Sequence, residues 1–172
     1  MKKTIFSVLV FLLFFSVKSF AQLKIGYVDS KSIMDNLPDA QDAKKQLDNV
    51  IQTWKKDLDK LQSQYDEKKS DYDKRKLIMS DQTRADMESD LKKLQQQIQE
   101  YREKKFGQNG ELYQKEDELM KPVQNKVFNA IQDVAKEKDL DFVFDKSGQV
   151  LLLYAKDKYD ITQDVIDKLK QE

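Results

Sequence analysis

A chain of 172 residues with 31 basic and 31 acidic side chains, and with neither histidine nor cysteine, excludes a great deal. Ser-His-Asp and Cys-His catalysis, zinc centres and disulfide staples all need residues it lacks. A carboxylate pair would need a pocket that raises one pKa, and a chain that is 36% charged, with a mean hydropathy of −0.78, has little apolar material to build one. It therefore reads as non-enzymatic, with no cofactor and no metal, and its charge balance argues against nucleic-acid partners.

The first segment reads as an export signal rather than as part of the fold. Lys2 and Lys3 precede an apolar run over 5–17, and Ser19-Phe20-Ala21 has the small-x-small form of a cleavage site, so 1–21 is predicted to be removed near Ala21/Gln22. The run is shorter than the ~20 residues a membrane span requires. Losing Lys2, Lys3 and Lys18 leaves 28 basic against 31 acidic residues.

"LKIGYVD" (23–29) alternates Leu23, Ile25 and Tyr27 on one face and predicts a short strand. Asp29 is placed as the N-cap of a short helix, with Val28 and Ile33 as its hydrophobic staple. Pro38 breaks that helix, and Asp39 is placed to cap the next. From there Leu47, Ile51, Trp54, Leu58, Leu61, Tyr65, Lys68 and Tyr72 step by fours and threes. That is the heptad spacing of a coiled-coil seam, and it predicts one helix of about 40 residues. A second seam, Met87, Leu91, Leu94, Ile98 and Tyr101, follows "LIMSDQTR", where Ser80 or Asp81 is placed to cap a returning helix. A short connection favours antiparallel neighbours, so the two form a hairpin with its tip near 77–84.

The returning helix is interrupted by Gly107, Gly110 and Pro122, read as bends or joints and as hinge candidates rather than helix ends. Lys68, Lys105 and Gln108 break the seams, either as weak points that let the hairpin flex or as side chains that snorkel out harmlessly. Leu119, Met120, Val123, Val127, Ile131 and Val134 then give an apolar face rich enough to meet a core. "LDFVFDKSGQVLLLYAK" predicts a β-hairpin in which 142–145 pair with 150–154. Last, "DITQDVIDKLK" predicts a helix capped by Thr162, with Ile161 and Ile166 as a staple.

The termini thus make one small body, 22–38 with 119–172, from which a helical hairpin, 39–118, projects. "VLLLY" is apolar without alternation, which implies burial on both faces. The body is too small to supply that cover alone, so other copies of the chain are expected against Ile25, Tyr27, Phe142, Phe144, Val150, Leu151, Leu152, Leu153 and Tyr154.

The succession "KIGYVDSKSIMDNLP", charged helical hairpin, "DLDFVFD" and "VLLLYAKDKYDITQDVIDKLK" resembles the Skp/OmpH family of periplasmic chaperones along the whole exported chain. The resemblance implies an α+β fold: a long antiparallel coiled-coil-like hairpin on a small β-sheet body, assembled as a homotrimer with a shared β core. It also implies the periplasm, and an ATP-independent holdase whose three arms enclose unfolded outer-membrane β-barrel proteins. The alternative is a periplasmic scaffold or spacer that binds a defined envelope partner.

On the hairpin, Tyr65, Tyr72, Leu77, Ile78, Met79, Met87 and Tyr101 are the candidates for client contact. Plain packing is the competing account: the tyrosines fall on or beside the seam, and a tip needs apolar closure whatever it does. Lys74, Arg75, Lys76 and Arg84 form a basic patch at the tip, suited to weak contact with an anionic membrane surface. Many relatives look strongly basic overall. This chain departs from that pattern, which puts lipopolysaccharide binding in doubt.

Overall fold

The computed structural model describes residues 23–148 and 151–171; the expected export signal and Val150 lie outside the described residues. In chain order the elements are β1 (Ile25–Val28), α1 (Ser30–Asn36), α2 (Pro38–Arg75), α3 (Asp81–Phe106), α4 (Glu111–Glu137), β2 (Phe142–Asp145), one 3-10 turn (Asp157–Tyr159) and α5 (Thr162–Leu169). The protein is mostly helical, with a small sheet.

Local chemistry sets the helix boundaries. The Asp29 carboxylate accepts the Ser32 N–H at 2.9 Å and starts α1. Pro38 opens α2 at its first position, where its missing N–H would have had no partner anyway. Leu37 is therefore the cap, and Asp39 lies inside the first turn instead of capping it. With no further glycine or proline, α2 runs 38 residues, about 57 Å. Ser80 accepts the Thr83 N–H at 3.2 Å and starts α3.

The two helices run antiparallel. As α2 descends from Tyr72 through Lys68 and Asp57 to Trp54, its partners on α3 climb from Glu88 through Asp90 and Tyr101 to Phe106. The seam follows the heptads, but a pair of helices covers only one stripe. Leu91 and Ile98 are buried, whereas Leu47, Ile51, Leu58, Leu61, Met87 and Leu94 remain half-buried.

A continuous core forms only at the base. Val28, Ile33, Leu37, Val123, Val127, Val134, Ile161, Val165 and Leu169 bury one another, with Leu119, Met120 and Ile131 packed against them. Ala40 and Ala43 are buried in the same cluster, and their small size lets α2 approach α4 closely. Ile161 and Ile166 are both buried. Thr162, however, is the first residue of α5 rather than its cap. Its Oγ1 accepts the Asp29 N–H at 2.9 Å, and its own N–H goes to the Asp160 carboxylate.

The strands pair differently from the hairpin expected. β2 lies parallel to β1, in register from Ile25 with Phe142 to Val28 with Asp145. The segment 151–156 forms no strand. Hydrogen bonds account for the difference. Lys146 N–H donates to the Val28 carbonyl at 2.8 Å, and the Asp145 carboxylate accepts the N–H groups of Ser30 and Ser147. The turn after β2 is thereby tied to the start of α1 and led away from β2's own edge. The other edge of β1 is taken by the Ile161 N–H, which donates to the Tyr27 carbonyl at 2.9 Å. Gly26 lies between them, where a Cβ would stand 2.7 Å from Leu140 Cδ1 and would require that side chain to shift.

The two interruptions of the returning helix also differ from expectation. "FGQNGEL" does end a helix: α3 stops at Phe106 and α4 starts at Glu111. "MKPV" does not interrupt one, since Pro122 lies within an unbroken α4.

Candidate functional site

Three regions carry the residues singled out above. The first is the outer face of the sheet. Ile25, Phe142 and Phe144 point outward and are exposed, and the neighbouring segment leaves Leu151, Leu153 and Tyr154 about four-fifths exposed. Leu152 is half-buried, and Tyr27 is already covered within the chain. Burial raises the pKa of the Tyr27 phenol, helped by Asp160, while Lys146 sits 5.4 Å from its ring centre. Ile25, Tyr27, Phe144, Leu152, Tyr154 and Tyr159 line an open cleft of about 710 Å³, edged by Lys24, Lys156 and Lys158.

The second region is the hairpin. Tyr65, Met87 and Tyr101 lie half-buried along the seam. Tyr65 also borders a shallow polar groove with Gln62, Gln95, Gln99 and Arg102. The phenol of Tyr72 donates to Glu88, which raises its pKa, and that of Tyr101 donates to Asp57 at 3.3 Å. Lys68 is no void in the seam, because it pairs with Asp90 at 2.9 Å. At the tip Leu77 is 91% and Ile78 83% exposed, with Met79 half-covered. The cations beside them are mostly answered: Arg75 pairs with Asp71 at 3.1 Å, Lys76 with Asp73 at 3.1 Å and Arg84 with Asp81 at 3.6 Å. Carboxylates thus offset much of the basic patch.

The third region is the joint between α3 and α4. Gly107 caps α3, its N–H donating to the Glu103 carbonyl at 2.9 Å, and Gly110 caps α4 at its start. Between them Asn109 takes the left-handed conformation, φ 62°. Lys105, read from the sequence as a gap in the seam, is instead paired with Glu111 and lies over the Trp54 ring at 4.6 Å.

Residues 24–169 match the model of a family described as outer membrane protein (OmpH-like). The chain belongs to that family. The OmpH-like chain also has a solved structural counterpart, a protein of Caulobacter crescentus CB15 assigned as an OmpH-like outer membrane chaperone, determined by crystallography at 2.83 Å. The two superpose with a TM-score of 0.72 over 88% of this chain and 86% of that one, at 16% identity, so the fold is shared. No curated protein matches the chain.

Several surface residues of this OmpH-like protein were not singled out from its sequence. Tyr159 borders the sheet cleft, and Phe128 is exposed on α4. The Trp54–Phe106 edge-on contact, 6.1 Å between ring centres, gives the joint an aromatic floor. Among the described residues no helix is long and apolar enough to cross a membrane.

Proposed function

We propose that this OmpH-like protein is an ATP-independent holdase of the periplasm, which binds unfolded outer-membrane β-barrel proteins between helical arms and keeps them from aggregating. In this reading, 1–21 is the cleaved leader, 22–38 with 119–172 form the body, and 39–118 form the arm. Three bodies share their sheet faces through Phe142, Phe144 and the 150–154 segment. The protein performs no catalysis.

The observation that carries the reading is the contrast between two surfaces in a chain of this family. The body leaves a continuous apolar face uncovered, as an assembly surface would. The hairpin scatters half-wet apolar side chains among ion pairs, with no deep pocket. Many weak contacts from several arms give avidity while each contact dissociates readily. Release then needs no fuel, because folding into a membrane draws the client away.

The test is light scattering from a urea-unfolded outer-membrane barrel diluted into buffer with the exported chain. A holdase suppresses the scattering at about one arm assembly per barrel, without ATP. Scattering that is unchanged at tenfold molar excess contradicts the reading and favours the scaffold.

A further inference from the structure

A lysine interrupting an apolar seam normally reaches for solvent. Lys105 does not: only 18% of its side chain is exposed. Its stem runs from the last turn of α3 across the Gly107–Gly110 joint, and its ammonium meets the carboxylate of Glu111, the first residue of α4. On its other side lie two rings, Trp54 of α2 with its centre 4.6 Å from Nζ and Tyr101 of α3 at 5.9 Å. One cation therefore touches three helices at the break between α3 and α4.

The counter-charge is well placed. Glu111 sits in the first turn of α4, where the helix dipole favours an anion. The Lys105 hydrogen bond, and more weakly Lys104 at 3.6 Å, hold its carboxyl below the usual range. The other charged groups at hand are Asp57 of α2, which accepts the Tyr101 phenol, and Glu103 of α3, whose carboxylate lies against Gly107. Apolar cover at the joint is thin, as its own side chains are at best half-buried.

We propose that Lys105 is a latch: its contact with Glu111 and Trp54 holds the ends of α3 and α4 together against α2, and breaking that contact lets the joint between them open locally. The joint is then locked by one charge pair seated on an aromatic floor, whereas the base is locked by apolar burial. The latch stands on the geometry of the joint, whatever the arms hold. Its loss leaves the core around Val127 and Val165 intact.

Hydrogen exchange of the full exported chain, read by mass spectrometry over 103–114, tests this. K105M keeps the aliphatic stem and E111Q keeps the shape, and each removes one charge. Each should speed exchange over 103–114 about fivefold or more and leave 123–134 unchanged. The double variant should add nothing to the stronger single one, since both break the same contact. Trp54 is the only tryptophan, so its quenching by acrylamide should rise in parallel. K115M, which breaks an exposed pair within α4, is the control. Three results would overturn the latch: unchanged exchange in both single variants, additive effects in the double, or equal acceleration in K115M.

Discussion

At the joint, the glycines are there for space. A Cβ built on Gly107 collides with the carbonyl oxygen and carboxylate of Glu103, and one on Gly110 would stand 2.9 Å from the Lys104 carbonyl. Neither glycine has a positive φ, so close backbone approach is the whole requirement. G107A should therefore destabilise the protein by about 1–3 kcal/mol, seen as a lower urea midpoint. A midpoint matching wild type would mean the joint relaxes freely. The sequence shows these glycines plainly, yet a glycine looks the same whether it loosens a helix or permits a tight turn. Lys105 was illegible for a related reason: its polarity was visible, while its partners came from positions 6 and 51 residues away.

At the scale of elements, α1 is fastened to α2 by charge as well as by burial. Asp35 accepts from Lys31 at 2.8 Å and from Lys44 at 2.7 Å, and these lysines, Lys31 first, bring its pKa down to about 2. Because the folded value lies below the unfolded one, near 3.9, this contribution is complete above about pH 4 and fades as pH falls toward 2. D35N lacks it. The stability gap between wild type and D35N, from thermal melts at several pH values, should be constant from pH 7 to about 5 and close between about 4 and 2. A gap that widens on acidification would contradict the pairing. The cap of α2 is Leu37 and not Asp39, but the heptads and the Ser80 cap made the hairpin readable, since both are strictly periodic or local signals. Strand partners are neither. Phe142 and Phe144 marked β2 correctly, but choosing β1 over the nearer apolar run depended on Asp145 docking to Ser30, more than a hundred residues away in sequence.

For the whole molecule, one part of the apolar material is buried in the base and another is left uncovered by the single chain. Leu151, Leu153 and Tyr154 lie in water beside Phe142 and Phe144, while the base closes over its own core. The unbroken apolar run of "VLLLY" predicted burial and a strand, but 151–156 form no strand and Leu151, Leu153 and Tyr154 stay exposed in the single chain, because an apolar run names neither its cover nor its partner. In the proposed function, sister chains supply that cover and the half-wet arms hold an unfolded client. A native mass spectrum of the exported chain mixed with a urea-unfolded outer-membrane barrel tests both assignments at once. The expected species is one barrel chain bound by three copies. A monomer that takes up no barrel would contradict both.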